Sequence, residues 1–551
     1  MSKINILALG GLDEKEKGMY IVDVDSKIYI FDAGVYEPLN NEFGVQHFIP
    51  RLDYLEENRD KIKGIFLSSA NILKIGALSQ IIKIVPNIKI FGSKITMDSL
   101  PIFFGSKAKD WNTFVLNPGE VTKDLQNEIK AIPVSGSIPG SYGYSVATPD
   151  GNIIYMTDYI FDSIEEYQVN IMDELEALSH EKNLVFMSDS LNANILSSIS
   201  PHFRITSKIK EPLKGKKRMV VAIYEDEIIN IIEIINRANK DHKKIFFTDR
   251  KMLNLIIMMM NNKQIPVHNV KLFEKNYDDA NKEKSIIIVT GTRTNLYQKI
   301  LIYIEEVDPL KFKIEHDDIF VMAAPPQAGN EHVYATITNN IFKIDPEIIT
   351  WSANEKLSIH PSQFDIKNYL KFINPEYLMP IQGYYMQMVK VKELAHNLGM
   401  VSSKKVIMAD NGEIMEIEDG VYNGLVRKIR ETGNTIIEEV TDARVATEVI
   451  ENRAALAKDG LCTIGLMYDK KTCKVISNID IQMRGVIFVN NQEQLMSKIE
   501  DSILTTLKQN QDNFKQNKVE SLIKKDLTKI FRTQIKKIPM IVLKLEPMEI
   551  K

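Results

Sequence analysis

One short segment, residues 64–78, constrains the fold more than any other part of the chain. The apolar strand GIFL at 64–67 ends in the small polar residues SSAN at 68–71, and a helix opens through IGAL at 75–78. Other short β-rich runs surround this segment, at 4–9, 20–24, 28–32, 88–91, 128–132, 153–157 and 184–187. Helical patterns lie between some of these runs. The first part of the chain is therefore predicted to form sheets covered by helices.

The middle of the chain has a different pattern. A basic segment with proline and glycine, residues 208–218, is typical of a domain boundary. Strand and helix then alternate up to about residue 290, which predicts a parallel α/β domain. From His360 to about residue 420 the earlier pattern of helix and strands returns. A chain that leaves one domain, forms another and comes back indicates an inserted domain.

Composition gives weaker constraints. The chain has 551 residues, too many for one hydrophobic core, with 44% hydrophobic and 26% charged residues, as in an ordinary soluble protein. Its formal charge of −4 gives no global sign of nucleic-acid binding. Cys462 and Cys473 would not lie opposite each other in a hairpin, so free thiols are predicted rather than a disulfide. Neither a leader pattern nor a bilayer-length apolar run is present, which predicts a cytoplasmic protein without membrane association.

Several motifs, in order along the chain, resemble those of the ribonuclease J family. They are ALGGL at 8–12, MYIV at 19–22, FDAG at 31–34, SDSLNA at 188–193, PPQAGNE at 325–331 and SIHPSQ at 358–363. The resemblance covers nearly the whole chain. It implies an α/β fold: a metallo-β-lactamase αββα sandwich with an inserted β-CASP α/β domain and a small α/β C-terminal domain. It also implies two zinc ions and exonuclease and endonuclease action on RNA.

The resemblance and the change of pattern together give predicted domain boundaries. The lactamase-like domain occupies residues 1–207 and 356–445, and the β-CASP-like domain is inserted at 208–355. A linker at 446–457 leads to a C-terminal assembly domain at 458–551. In that last domain Leu495, Ile499, Ile503 and Leu507 share one face of a predicted helix.

The metal-ligand positions implied by the resemblance are mostly lost. The family's first metal motif, H-x-H-x-D-H, corresponds here to Ser69, Asn71, Leu73 and Lys74. Two later histidine positions hold Gly136 and Gln382, and only Asp158 keeps the family's residue, a carboxylate that bridges the two zincs. Zinc in proteins is bound by thiolate, imidazole or carboxylate. Since six of the seven expected ligands are missing, no intact catalytic site and no zinc cofactor are expected.

Two remnants of chemistry persist, Asp158 and His360. His360 matches the β-CASP histidine that contacts the reacting phosphate in the family, with Ser362 beside it; alternatively it is a hydrogen-bonded histidine that holds two domains together. The turn with Thr290, Thr292 and Arg293 resembles a family turn and either contacts phosphate or is a plain turn. The candidates for RNA or phosphate binding are therefore His360, Ser362, Thr290, Thr292 and Arg293.

The leading hypothesis is a non-catalytic ribonuclease J-type subunit that associates with an active paralogue in RNA processing and decay. The expected partners are that paralogue and RNA, in a homo- or hetero-dimer or tetramer. One alternative is a weakly active metal-dependent ribonuclease that uses Asp158, Asp189 and His360; another is a metal-free RNA-binding scaffold. Because Lys74 and Asp158 occupy positions that ligate one metal in the family, an ion pair between them is predicted; alternatively, Lys74 reaches solvent from the start of the helix.

Overall fold

The computed structural model describes residues 2–38, 45–123, 125–164, 170–274, 279–305, 312–399, 405–438, 444–445, 447–469, 472, 474–486, 492–511 and 514–548. These residues fall into two compact units, one within residues 1–439 and the other within residues 440–551. Each unit has its own hydrophobic core.

The strands of the first unit are β1 (Lys3–Gly10), β2 (Met19–Val24), β3 (Lys27–Phe31), β4 (Val45–Pro50), β5 (Ile62–Phe66), β6 (Ile90–Gly92), β7 (Thr113–Val115), β8 (Ile129–Pro133), β9 (Tyr142–Val146), β10 (Asn152–Met156), β11 (Asn183–Asp189), β12 (Met219–Tyr224), β13 (Lys244–Phe247), β14 (Val270–Leu272), β15 (Ser285–Gly291), β16 (Ile319–Met322), β17 (Glu347–Thr350), β18 (Tyr377–Ile381), β19 (Glu413–Glu418), β20 (Val421–Lys428) and β21 (Asn434–Glu438). Its helices are α1 (Asp53–Glu57), α2 (Ile72–Ile75), α3 (Leu78–Ile84), α4 (Lys94–Phe104), α5 (Ile171–Ser179), α6 (Thr206–Lys214), α7 (Ile228–Lys240), α8 (Arg250–Asn261), α9 (Leu296–Ile304), α10 (Glu331–Ile344), α11 (Gln363–Ile373) and α12 (Tyr385–Asn397). The second unit contains β22 (Arg444–Val445), α13 (Thr447–Asp459), β23 (Leu461–Asp469), β24 (Asp480–Arg484), α14 (Gln492–Gln509), α15 (Gln516–Ile535) and β25 (Met540–Met548).

Two sheets of the first unit pack face to face. The first has the strand order β20-β19-β1-β2-β3-β5-β6-β7, and the second has the order β18-β11-β10-β9-β8. Aromatic rings fill the space between them: Phe31 lies 5.2 Å from Tyr155, and Phe66 lies 5.3 Å from Tyr144, between ring centroids. Successive side chains of a strand point to opposite faces of its sheet, and the outer faces of these two sheets are apolar as well. The outer faces must therefore be covered by other elements.

Helices supply that cover on both outer faces. Leu55 of α1, Leu78 and Ile81 of α3 and Leu100 of α4 pack against the outer face of the first sheet. Residues of α5, α11 and α12 pack against the outer face of the second sheet. The result is an αββα sandwich, which confirms the predicted fold class.

The inserted domain is built around a six-stranded sheet of order β14-β13-β15-β12-β16-β17, in which all neighbouring strands are parallel. Helices α6, α7 and α8 cover one face, and α9 and α10 cover the other. The central strands are apolar throughout, as a parallel sheet buried on both faces requires. The predicted parallel α/β domain is therefore confirmed.

In the second unit a three-stranded sheet, β24-β23-β25, packs against two helices. The predicted apolar face of α14, with Leu495, Ile499, Ile503 and Leu507, is buried against this sheet and α15. That face is covered within its own unit, so it does not need a partner chain.

Two segments with boundary-like composition are helical. The basic segment at 208–218 overlaps α6, whose Ile209 and Leu213 are buried at i, i+4 spacing and whose helix ends before Gly215. Residues 447–457 of the predicted linker lie within α13. Alanine, glutamate and leucine, which are strong helix formers, explain this second helix.

Two further predictions concern cysteines and membranes. Cys462 is buried with a free thiol, and burial raises its pKa to about 11. Cys473 lies outside the described residues, so the predicted absence of a disulfide remains a prediction. None of the helices within the described ranges is both long and apolar enough to cross a bilayer.

Candidate functional site

Polar side chains gather where five strands of the sandwich end. Asp32 follows β3, Ser68 follows β5, Asp158 lies two residues after β10, Asp189 ends β11, and Gln382 follows β18. Strands β3 and β5 are parallel, as are β10, β11 and β18, so the carboxyl ends open at the same edge of each sheet. Because the sheets face each other, these turns meet in one place.

Lys74 lies at the centre of this group. It sits on α2, which is capped by Asn71, whose side-chain oxygen accepts a hydrogen bond from Leu73 N. The Lys74 Nζ atom lies 3.1 Å from Asp158 Oδ1 and donates to Gln382 Oε1 at 2.5 Å. Gln382 Nε2 in turn donates to Asp158 Oδ1 at 3.4 Å. The predicted contact between Lys74 and Asp158 is therefore present, with Gln382 as a shared partner.

The charged side chains of this group shift one another's pKa values. Burial raises the pKa of Asp158, but the charges of Lys74 and His360 outweigh burial and hold that pKa below its ordinary value. Burial also lowers the pKa of Lys74, and the carboxylates of Asp158, Asp32 and Asp189 more than reverse this effect and raise it. Lys74 is thus a charged ammonium in a buried position.

His360 is held by two carboxylates. Its Nδ1 atom lies 2.7 Å from Asp189 Oδ2 and 3.3 Å from Asp158 Oδ1. Asp189 is fixed by the backbone N–H groups of Asp158 and Leu191, at 3.0 and 2.8 Å. Burial lowers the pKa of His360, and the charges of Asp189 and Asp158 outweigh burial and raise it to about 9. His360 is therefore an imidazolium near neutral pH.

Asp32 completes the buried group. Its carboxylate accepts hydrogen bonds from Ser68 N and Ser68 Oγ, both at 2.7 Å, and from Tyr155 OH at 2.6 Å. Burial raises its pKa, although the nearby Lys74 charge acts in the opposite direction. The Tyr155 contact joins the two sheets beneath the site.

The residues present do not fit the two zinc ions that the resemblance implies. Ser69, Asn71 and Leu73 offer neither thiolate, imidazole nor carboxylate. A Cβ atom added at Gly136 would lie 2.6 Å from Ser141 Oγ and 3.0 Å from Asp158 O, so a histidine side chain there would force its neighbours to move. The Lys74 ammonium is already bound to Asp158. The chemistry of a zinc-bound nucleophile therefore has no ligand set here.

A cleft of about 570 Å³ opens above this group, between the sandwich and the inserted domain. Lys74, Asp158 and His360 lie on one side, and Arg293 of the inserted domain lies on the other. A smaller neighbouring pocket of about 90 Å³ is lined by Thr292 as well as Arg293. Of the candidate RNA-binding residues, His360 and Arg293 therefore line the cleft, and Thr292 and Arg293 line the neighbouring pocket.

The two other candidates do not line either cavity. Thr290 is buried within β15, and its carbonyl accepts a hydrogen bond from Lys299 Nζ at 2.8 Å. Ser362 is buried at the start of α11, where its hydroxyl donates to Asp365 Oδ2 at 2.7 Å and accepts from Asp365 N. The Ser-x-x-Asp spacing is a capping-box pattern, which could have been read from the sequence.

The sequence analysis also missed the partners of Arg293. The guanidinium lies 2.9 Å from Asp226 Oδ2, and it stacks over Tyr224 with its Cζ 5.7 Å from the ring centroid. Burial lowers the pKa of Arg293, and the charges of Asp226 and Glu16 outweigh burial and raise it. Arg293 is thus engaged within the protein, and phosphate contact by Thr292 and Arg293 stays a prediction.

Comparison with known proteins gives matches over nearly the whole chain. A family model described as the ribonuclease J beta-CASP domain matches residues 216–341, and one described as the ribonuclease J C-terminal domain matches residues 448–545. Ribonuclease J 2 of Streptococcus pyogenes serotype M3 is 26% identical, over 98% of this chain and 99% of that protein. Ribonuclease J 2 of Staphylococcus aureus is 25% identical, over 98% of this chain and 97% of that protein.

A solved structure supports the fold alone. A protein of unknown function from Enterococcus faecalis superposes with a TM-score of 0.52 and 14% identity, over 75% of this chain and all of that chain. The two family models and the full-length relatives agree with the order of the motifs in the sequence. The chain is therefore similar to ribonuclease J proteins over nearly its whole length, and residues 216–341 and 448–545 match that family's beta-CASP and C-terminal domains.

Proposed function

We propose that this chain is a non-catalytic ribonuclease J-type subunit, which associates with a catalytically active ribonuclease J paralogue in RNA processing and decay. Its relatives carry the name ribonuclease J 2, which ties the family to RNA. The sandwich, the inserted domain and the second unit are all retained. The residues at six of the seven positions that would hold the metals have changed.

The observation that carries the proposal is the content of the ligand positions. Lys74, Gly136 and Gln382 fill positions that would belong to histidines. Lys74 and Gln382 contact each other and Asp158, and a Cβ atom added at Gly136 would lie 2.6 Å from Ser141 Oγ. A bound metal would lower the pKa of water from 15.7 to about 7 and so supply a nucleophile at neutral pH. Without ligands for that metal, a subunit role accounts for a fold that is otherwise complete.

Metal content and nuclease activity of the purified chain test the loss of catalysis. We expect well under one zinc per chain by elemental analysis and no digestion of 5′-monophosphorylated RNA. An active ribonuclease J with the H-x-H-x-D-H motif serves as the positive control, with and without a chelator. Two tightly bound zincs together with chelator-sensitive digestion would disprove the proposal.

Association is tested separately, by native mass spectrometry of the complex purified from its own cells. We expect the chain in a dimer or tetramer that also contains an active ribonuclease J. Removing residues from Leu461 onward should weaken this assembly more than it harms the first unit, whose core is separate. Recovery with RNA but without any active nuclease would favour an RNA-binding scaffold instead.

A further inference from the structure

Three side chains beside Lys74 bring metal-ligating atoms together. In the part of the chain that the structure describes, Asp158, Asp189 and His360 form the one such group, and their ligand atoms all lie within 4.8 Å of one another. His360 Nδ1 lies 2.7 Å from Asp189 Oδ2 and 3.3 Å from Asp158 Oδ1. Ligand atoms around one tetrahedral zinc, each about 2.0–2.2 Å from the metal, are separated by about 3.3 Å. The group thus has the size and the donor types of a single-metal site.

The Lys74 ammonium is already bound to one of these three ligands. It lies 3.1 Å from Asp158 Oδ1, and Gln382 Oε1 holds it from another side at 2.5 Å. The charge of Lys74 interacts with three buried carboxylates, those of Asp158, Asp32 and Asp189. An amino-acid side chain therefore supplies the positive charge that these carboxylates need.

We propose that Lys74 is the resident cation of this site and that its ammonium group keeps divalent metal ions away from Asp158, Asp189 and His360. The inference deepens the proposed function, on which it rests for the absence of zinc in the natural chain. It adds that Asp158, Asp189 and, once a metal displaces its proton, His360 could bind one metal ion, and that one residue, Lys74, blocks them.

The distances explain the exclusion. A zinc ion bound to Asp158 Oδ1 at about 2.0–2.2 Å would lie within about 5 Å of the Lys74 ammonium. Repulsion between two cations at this separation is stronger in a buried site than in water, because the effective dielectric constant is lower. Asp158 Oδ1 would also have to contact both the zinc ion and the Lys74 ammonium group. Zinc and the ammonium therefore compete for one position, and the covalently attached cation has the advantage.

Replacing Lys74 by a neutral residue tests the inference by metal binding alone. We expect Lys74→Gln and Lys74→Ala to bind about one zinc per chain, with a dissociation constant roughly 10–100-fold below any value for the natural chain. Equilibrium dialysis with zinc chloride, followed by elemental analysis, gives the stoichiometry. The absorption spectrum of the cobalt(II)-loaded protein reports tetrahedral coordination independently.

Two matched variants identify the ligands and the role of charge. Lys74→Arg keeps the positive charge and should remain free of zinc. Adding Asp189→Asn to Lys74→Gln should abolish the new site. If a neutral variant unfolds without metal, its refolding with one zinc per chain would also support the inference.

The remaining outcomes overturn it. If neither neutral variant binds or refolds with zinc, Lys74 is not what excludes the metal, while the proposed subunit role is unaffected. Equal zinc binding by Lys74→Arg and Lys74→Gln would remove the role of charge. Stoichiometric zinc in the natural chain would contradict both the inference and the proposed function.

Discussion

Two ion pairs on opposite sides of the cleft differ in how they meet water. On the sandwich side, the Lys74 and Asp158 side chains are 5% and 9% exposed. On the side of the inserted domain, the Arg293 and Asp226 side chains are 21% and 16% exposed, although their separation of 2.9 Å is similar. Similar charges at similar distances therefore occupy unlike environments.

This difference in exposure indicates which of the two ion pairs matters more for folding. A buried charge that loses its partner cannot be solvated, so the remaining partner is strongly destabilising. A charge at the wall of an open cleft is partly reached by water, so the loss of its partner costs less. We therefore expect the sandwich side of the cleft to depend more on its ion pair than the other side does.

The largest expected effect comes from breaking the Lys74–Asp158 pair. Lys74→Met and Asp158→Asn should each lower the free energy of unfolding, by up to about 3–5 kcal/mol, because each removes one partner of a buried ion pair. The double variant should cost less than the sum of the two. Urea titrations of the four proteins measure this coupling.

The Arg218–Asp318 pair of the inserted domain is the matched control. Arg218 donates two hydrogen bonds to the carboxylate, at 2.7 and 2.6 Å, and both side chains are buried. Its double-variant cycle should resemble that of Lys74 and Asp158. If removing Lys74 leaves stability unchanged while removing Arg218 lowers it, the sandwich side of the cleft is not held by its charges.

The second effect is a dependence on pH through His360. Its pKa is raised from 6.5 to about 9 in the folded protein, so its contribution to stability is fully present below about pH 6.5. As pH rises through 9 the imidazolium loses its proton and the contribution disappears, by roughly 3 kcal/mol at most. Urea midpoints from pH 6 to 10 measure the loss. His360→Gln should flatten this part of the profile, and an unchanged profile would contradict the assignment.

The smallest effect is expected at the open side of the cleft. Arg293→Gln should lower the free energy of unfolding by about 1 kcal/mol or less, because water can solvate Asp226. Thermal unfolding measured against the Lys74→Met variant makes the comparison direct. A loss as large as that for Lys74→Met would show that both sides of the cleft depend equally on their ion pairs.

The fold and the central ion pair could be predicted from the sequence because the motifs fix positions within a known architecture. Once Lys74 and Asp158 are assigned to adjacent positions, electrostatics gives a reason for them to meet, but the sequence alone leaves open the alternative that the lysine reaches solvent from the start of the helix. The helices at 206–214 and 447–459 were overlooked, since basic and polar residues obscured the i, i+4 spacing of Ile209 and Leu213.

The partners of the other candidates could not be predicted in the same way. Gln382 reaches Lys74 from a strand more than three hundred residues away, and nothing in its local pattern specifies that contact. Arg293 meets Asp226 across the end of a parallel sheet, where pairing depends on strand order rather than on spacing along the chain. Ser362 is the exception, because its capping contact with Asp365 lies within four consecutive residues and can be predicted from their spacing.

The close packing at Gly136 also bears on how this lineage can evolve. A Cβ atom added at this position would lie 2.6 Å from Ser141 Oγ and 3.0 Å from the Asp158 backbone oxygen, so a histidine introduced there would force its neighbours to move. A metal ligand at this position would therefore need an accompanying change at Ser141. The packing thus makes the effect of a substitution at Gly136 depend on which residue occupies position 141.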